Sequence, residues 1–398
     1  AMKHVYIIGT CDTKHTEILY VRNLLFSQGI STCIVDVGIY ERMLPPDIGN
    51  VVHLREKQLD VFADITDRGK ALALMGTLLE EFLVEHQKDI SGVIGLGGSG
   101  NTAIVTRGMR ALPVGLPKLM VSTVASGDVA PYVGASDICM MPSVADVQGL
   151  NIITRKILGN AAHALAGMVQ HPIPEEKENR TLVGMSMFGV TTPCVQQVCA
   201  LLPEQYEPLV FHATGTGGKA LEKLIDSGMV SLAIDITLTE ICDLFMGGVM
   251  SAGDDRLGAV IRTGIPYVGS VGALDMVNFA AMSTVPEKYR ERNLYVHNEN
   301  VTLMRTTVEE NAAMGRWIGE RLNLCTGKVR FLLPEGGISA IDAPGMPFYD
   351  PEADAALFKA IEQTVKQTDT RRIIRVPHHL NAPEFAEAVR THFLEAIG

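Results

Sequence analysis

The stretch "SGVIGLGGSGNTAIVTRGMR", Ser91 to Arg110, decides the fold. A continuous apolar run, 91–97, enters a turn of small residues and leaves as a segment able to start a helix. An unbroken run of this kind suits a strand covered on both faces, as in a parallel sheet. The turn carries G-x-G-x-x-G at Gly95, Gly97 and Gly100, but the acidic residue that a dinucleotide site requires about 20 positions on is missing from 115–122, "GLPKLMVS". Without it the motif reads either as a tight strand-to-helix turn or as an anion cradle. Ser99, Asn101 and Thr102 favour the cradle, because they add small polar groups to Gly97, Gly98 and Gly100.

The same alternation extends both ways. Strands are expected at 4–9, 31–38 and 117–123, with helices at 14–28, 68–87 and 149–170. A segment with two prolines and alternating charge, "HPIPEEKENR" (171–180), reads as a linker. Beyond it come strands at 181–188, 206–212, 231–236, 265–270, 328–334 and 371–377, with helices at 193–202, 218–227, 304–323, 352–367 and 383–397. Thr307-Val-Glu-Glu310 fits a capping box, and Pro383 suits a first helical turn. The expected fold class is α/β, with two Rossmann-like, doubly wound, mainly parallel domains, 1–176 and 177–398, facing across a cleft.

Composition narrows the function. A chain of 398 residues is long for one core, and with 47% hydrophobic but only 6% aromatic residues the interior must be aliphatic. The net charge is −11 and there is no basic block, so nucleic acid is not an expected partner. Seven cysteines without a C-x-x-C pair argue for a reducing, cytoplasmic setting. Ala1 before Met2 reads as a residue left by cloning, and the N-terminal apolar run is too short for a signal peptide. The uncharged stretch 181–203 is long enough for a bilayer but is broken by glycines, Pro193 and glutamines, so no membrane association is expected.

In open α/β sheets, ligands bind beyond the carboxyl ends of strands. The turns there include "GTCDTK" (9–14), with Thr10, Asp12 and Thr13; "FGVTTP" (188–193), with Thr191 and Thr192; and "HATGTGG" (212–218), with Thr214, Gly215, Thr216, Gly217 and Gly218. The last falls short of a P-loop at Ala213 and Ala220 but keeps the backbone cradle and helix start. Lys219 reads equally as a phosphate contact or as a solvated helix residue.

Acidic candidates are Asp235, Glu240, Asp243, Asp254, Asp255 and Asp275; Asp254-Asp255 could serve Mg²⁺, although a helix-start cluster explains them better. His378, His379, His297, Asn298, Arg305 and 335–339 form further polar groups, without zinc spacing. Cys194 opens a helix but has no identified base. No catalytic residue and no metal site can be assigned from these patterns.

The blocks "IGTCDTK", "GLGGSGNT", "MSMFGVTTPCV", "FHATGTGGKALE", "GALDMVNF", "HNENVTLMRTT" and "LPEGGISAIDAPG" resemble, in order, the family formed by the N-terminal, ATP-binding half of the plant resistance protein against tomato mosaic virus and its bacterial relatives. The resemblance runs nearly end to end. It implies two Rossmann-like subdomains, an ATP-type nucleotide with or without Mg²⁺, and a homodimer. The barrel-like domain that follows in the plant protein is not expected in this chain. Antiviral inhibition depends on a partner surface and is not carried over.

The resulting expectation is an ATP-type nucleotide-binding protein, an enzyme acting on a small-molecule substrate, with phosphates gripped by 97–102 and 214–218. Alternatives are a non-catalytic regulatory module, an enzyme acting on a phosphorylated sugar or acid without ATP, and a dehydrogenase weakened by the missing acid.

Overall fold

The computed structural model describes residues 2–40, 50–175 and 180–398. Of the expected linker, 176–179 lies outside the described residues, as does Ala1. The chain divides into two compact units, Ala1–Glu176 and Lys177–Gly398.

Unit 1 is built on six parallel strands: β1 (His4–Gly9), β2 (Thr32–Asp36), β3 (Val51–His53), β4 (Ile90–Gly97), β5 (Lys118–Ser122) and β6 (Cys139–Pro142). Their spatial order is β3-β2-β1-β4-β5-β6, every pair parallel. Side chains alternate across the sheet. Tyr6 and Ile8 of β1 pack with Met75, Leu79 and Val105 from the helices Arg68–Glu85 and Ser99–Arg110. Val5 and Ile7 pack on the other face with Ile18, Leu158 and Leu165 from Cys11–Ser27 and Ile152–Gln170. Each fully buried isoleucine contributes about 1.5–3 kcal/mol. The sheet is therefore doubly wound, and its chain reversal falls between β1 and β4.

Unit 2 has a second parallel sheet: β7 (Thr181–Met187), β8 (Tyr206–His212), β9 (Leu232–Thr237), β10 (Tyr267–Gly272), then β14 (Val329–Pro334) and β15 (Arg371–Val376), in the order β15-β14-β10-β9-β7-β8. Its switch point lies between β7 and β9, and β8 is an edge strand. Two separate cores cover its faces.

Between β10 and β14 the sequence reading needs correction. Residues 304–305, expected to begin a helix, end the strand β13 (Val301–Arg305), which pairs antiparallel with β11 (Met276–Phe279) and β12 (Leu294–Asn298). The helix starts at Val308, where the Thr307 hydroxyl accepts the Glu310 amide at 3.2 Å and the Glu310 carboxylate accepts the Thr307 amide at 2.9 Å. The cap outranks the apolar pattern, since it satisfies helix-end donors that the strand residues do not supply. The short strands β3 and β6 and the antiparallel sheet escaped the sequence reading. They are three to five residues long, too short for a periodicity.

Among the described residues no helix is long and apolar enough to cross a membrane.

Candidate functional site

At the switch point of unit 1 the carboxyl ends of β1 and β4 each turn directly into a helix. Thr10 caps the first by backbone alone and Gly98 the second, with no side-chain cap at either. The two long helices Arg68–Glu85 and Ile152–Gln170 are capped, by Asp67 and by Asn151. At the Ser99 helix the uncapped start leaves first-turn N–H groups without intrahelical acceptors, a local field that favours an anion, whereas at the Cys11 helix the Cys11 N–H already donates to the Asp36 carboxylate at 3.0 Å. Gly97 adopts φ +153, and a Cβ there would stand 2.7 Å from the Asn101 side chain, so only glycine allows this close return. Asn101 is held by its own amide donating to the Leu96 carbonyl at 2.9 Å.

A cavity of ≈ 320 Å³ opens over these helix starts. The sequence-predicted Thr10, Asp12, Thr13, Gly98, Ser99, Gly100 and Asn101 line it together. The Thr10 and Thr13 hydroxyls share a 2.6 Å hydrogen bond, and the Thr13 amide donates to Asp12 at 2.9 Å. Arg68 also lines the cavity, with a guanidinium nitrogen 3.8 Å from where a Cβ on Gly100 would lie. The sequence reading missed Arg68 because it opens a helix more than 30 positions before the Ser99 turn; only the sheet order brings the two together.

Other predicted residues do not join the cavity. Gly97 makes the close return against Asn101 and does not line the cavity. Thr102 is fully buried, its hydroxyl donating to the Gly98 carbonyl at 2.7 Å and sharing a 2.6 Å bond with Ser122. It ties β4's turn to β5 and is not available to a ligand. Thr191 is likewise fully buried, accepting the Phe188 amide at 3.0 Å and meeting the Thr237 hydroxyl at 2.8 Å, while Thr192 donates to the Phe188 carbonyl at 3.1 Å. These two threonines close a turn.

The loop 213–218 corrects the sequence reading most. It is indeed an anion cradle, but the anion is part of the protein. The Glu240 Oε2 accepts the Gly215 N–H at 2.7 Å and the Gly218 N–H at 3.0 Å. Its glycines are explained by that occupant: Gly215 sits at φ +92, and a Cβ on Gly218 would be 2.2 Å from Glu240. A Cβ on Gly217 would stand 1.6 Å from the His212 carbonyl oxygen. Gly215 and Gly218 therefore do not offer their amides to a phosphate. Thr214 leans back on the His212 carbonyl at 3.5 Å, and Thr216 and Lys219 are exposed. The loop also follows the edge strand β8, away from unit 2's own switch point.

Glu240 belongs to a buried network centred on Arg256, which is 2% exposed. The Arg256 guanidinium donates to Glu240 at 3.0 Å, to both Asp235 oxygens at 2.8 and 2.7 Å, and to Glu222 at 3.4 Å. Tyr267 and Ser186 hydroxyls donate to Asp235 at 2.8 and 2.5 Å, and the Leu257 and Ala259 amides to Glu222 at 2.5 and 2.9 Å. Burial pushes the Glu222 and Glu240 carboxyls up, opposed by Arg256. Burial alone would lower Arg256, and the carboxylates of Asp235, Glu240 and Glu222 override it. Asp255, read as a candidate Mg²⁺ ligand, instead chelates the Arg262 guanidinium at 2.8 and 2.7 Å. Among the described residues no cluster of three or more His, Cys, Asp or Glu side chains could hold a metal ion.

Cys194 is fully buried and its thiol is pushed far up by burial, so it is packing and not a nucleophile. His379 is committed to the Ser339 carbonyl at 2.8 Å and the Asn381 amide at 2.9 Å.

Residues 3–174 match the N-terminal domain, and residues 180–397 the C-terminal domain, of Uncharacterised protein family UPF0261. The chain belongs to the UPF0261 family. It is 54% identical over 390 residues to the UPF0261 protein mlr3387 of Mesorhizobium japonicum, which it covers to 98%. A UPF0261 protein of Clostridium tetani is 46% identical over 97% of each chain. The tomato ToMV resistance protein Tm-1(GCR237) is 42% identical over 98% of this chain, which spans 55% of the tomato protein. The family resemblance drawn from the motif blocks is thus shown along both UPF0261 domains. A solved MurG of Acinetobacter baumannii aligns at 13% identity with a TM-score of 0.22, too low to support any inference.

Proposed function

We propose that unit 1 binds a phosphate-bearing nucleotide of the ATP type at the β1/β4 switch point, and that the protein is an enzyme using it in small-molecule metabolism. The observation that carries this reading is the cavity over the uncapped Ser99 helix start, lined by Ser99, Gly100, two threonine hydroxyls and the Arg68 guanidinium. Backbone N–H groups at a helix start and a nearby arginine are a recurrent phosphate cradle. The strand order β3-β2-β1-β4-β5-β6 is that of dinucleotide-binding sheets, which take the pyrophosphate at this position. Asp12 on the same wall would oppose a bare phosphate and would suit one accompanied by Mg²⁺. The second grip expected from 214–218 is withdrawn, because Glu240 fills it.

Gly98→Asp tests the reading. A Cβ at Gly98 meets nothing closer than the Thr123 hydroxyl at 3.7 Å, so the change is tolerated sterically. Aspartate is a better N-cap than glycine and would turn its carboxylate onto the first-turn amides, stabilising the helix by a few tenths of a kcal/mol while occupying the anion position. Calorimetric titration with ATP, ADP and sugar phosphates, with and without Mg²⁺, should show ATP binding at least about tenfold weaker in the variant, the loss of one charge-assisted contact or more. Equal ATP affinity in both proteins contradicts the assignment. Tight binding of a sugar phosphate with none of ATP would transfer the site to a phosphorylated substrate.

A further inference from the structure

A phosphate on the Ser99 helix start can end its ligand or bridge two halves of one, and the residues around the cavity distinguish the two. In dinucleotide-binding sheets an acid at the end of the second strand receives the ribose hydroxyls. Asp36 holds that position here, at the end of β2, and the sequence reading missed it by counting from the glycines of β4 instead of from β1. Its carboxylate is already committed. Oδ1 accepts the Cys11 N–H at 3.0 Å and the Gly38 N–H at 2.9 Å, and Oδ2 meets His53 Nδ1 at 2.8 Å. A ribose diol would have to displace three partners, so the acid that anchors a dinucleotide is taken.

At the Ser99 start the cavity gathers donors from two helices. The first intrahelical bond of Ser99–Arg110 runs from the Thr102 N–H to the Gly98 carbonyl at 2.9 Å, so the three amides before it have no acceptor within the helix. Arg68 and Leu72, one turn apart on Arg68–Glu85, come over the same place. Arg68 Nη2 lies 3.8 Å, and Leu72 Cδ1 3.5 Å, from where a Cβ on Gly100 would stand. The bare glycine thus lets a guanidinium from one helix approach the free amides of another. Arg68 occupies the first position of its own helix, whose first turn holds no acid. A cation there opposes the macrodipole, so its charge does not serve the helix that carries it.

We propose that Arg68 is the specificity-determining residue of this site and reads a terminal phosphate, so that the ligand of unit 1 is a nucleotide whose phosphate chain ends at the Ser99 start and not a dinucleotide bridged through it. This rests on the nucleotide reading of the cavity. A bridging phosphate offers two free oxygens and a single charge. A terminal one offers three oxygens and a charge of about −1.5 to −2 at neutral pH. The third oxygen and the added charge are what a forked guanidinium beside the helix-start amides is suited to take. A β- and a γ-phosphate present the same group when either ends the chain, so the test carries both.

The experiment is calorimetry on the full chain, with Mg²⁺ present throughout, using two pairs of ligands: ADP against ADP-ribose, and ATP against its γ-methyl ester. In each pair the second member has its terminal phosphate esterified. The proteins are wild type, Arg68→Gln and Arg68→Lys, with circular dichroism and melting to establish that both variants are folded. In the wild type the free-ended member of at least one pair should bind about tenfold or more tightly than its ester, the scale of one charge-assisted hydrogen-bond pair. Arg68→Gln should bring that nucleotide down to the value of its ester and leave the ester unchanged. Arg68→Lys should restore part of the advantage, since an ammonium keeps the charge without the fork. If the esters bind as tightly as the free ends in the wild type, the inference is refuted while the nucleotide reading stands. If none of the four binds, the nucleotide reading fails and takes the inference with it. An advantage that survives in Arg68→Gln also refutes the assignment.

Discussion

Replacing Arg256 with methionine should destabilise unit 2 by at least about 3–5 kcal/mol, the cost of removing one partner from a buried ion pair. Here the loss is worse than for a simple pair. Asp235, Glu222 and Glu240 all face the guanidinium, and all three are nearly inaccessible to water. Methionine fills a similar volume but offers no N–H. Three carboxylates would then have to be protonated or hydrated inside the core. The consequence reaches the 213–218 loop, because Glu240 is held between Arg256 and the Gly215 and Gly218 amides. Urea denaturation at neutral pH should show a much lower midpoint, and the difference should persist at 1 M NaCl, since buried pairs are weakly screened. A loss below about 1 kcal/mol would mean that the carboxylates find other partners, and the network would not be the organising element of this unit.

The second large effect is a dependence on pH. Arg305 is buried against Asp354 at 2.8 Å and Asp342 at 3.4 Å, with Asp275 close by. Burial, then hydrogen bonding to Asp342, raises the Asp354 carboxyl to about 9, and burial raises Asp275 to about 7. Burial raises Asp243 to about 7 as well, although it accepts the Met250 and Asn278 amides at 2.8 and 2.9 Å. All three folded values lie above the unfolded carboxyl value of about 3.9. The folded chain therefore binds these protons more tightly than the unfolded chain. Their stabilisation is full below about pH 4 and is lost as pH rises through about 7 and then about 9. Carboxylates held low by arginine or lysine partners, such as Asp255 and Asp137, act in the opposite direction, and only as pH falls below the ordinary carboxyl range.

Asp354→Asn isolates the first pair. The asparagine oxygen can accept from Arg305 and its amide can donate to Asp342, reproducing the protonated acid without a proton to lose. Unfolding free energies measured from pH 5 to 9 should fall steadily in the wild type. The variant should match it near pH 5 and exceed it at pH 8 by on the order of a few kcal/mol. Parallel curves would show that the shared proton is not there.

What the sequence disclosed, and what it withheld, follows from the range of the signals involved. β1 and β8 were read to the residue, because apolar runs bounded by turn residues are local. The cavity residues Thr10, Thr13, Ser99 and Gly100 were legible for the same reason: small polar residues after a strand mark its carboxyl end. Arg68 and Asp36 were not, since each enters through the sheet order and no local pattern encodes which strands are neighbours. The 213–218 loop shows the opposite failure. Its glycines announced an anion correctly, but Glu240 lies more than 20 residues downstream, and a cradle's sequence does not name its occupant. Thr102 and Thr191 were misassigned because a threonine beside a turn reads alike whether its hydroxyl faces a ligand or closes the backbone.

The most direct test of the central claim is a crystal structure of the protein grown with saturating ATP and Mg²⁺. The account predicts a phosphate with its oxygens about 3 Å from the Ser99 and Gly100 N–H groups and within reach of the Arg68 guanidinium. A nucleotide bound elsewhere, with the Ser99 helix start facing only water, would contradict it.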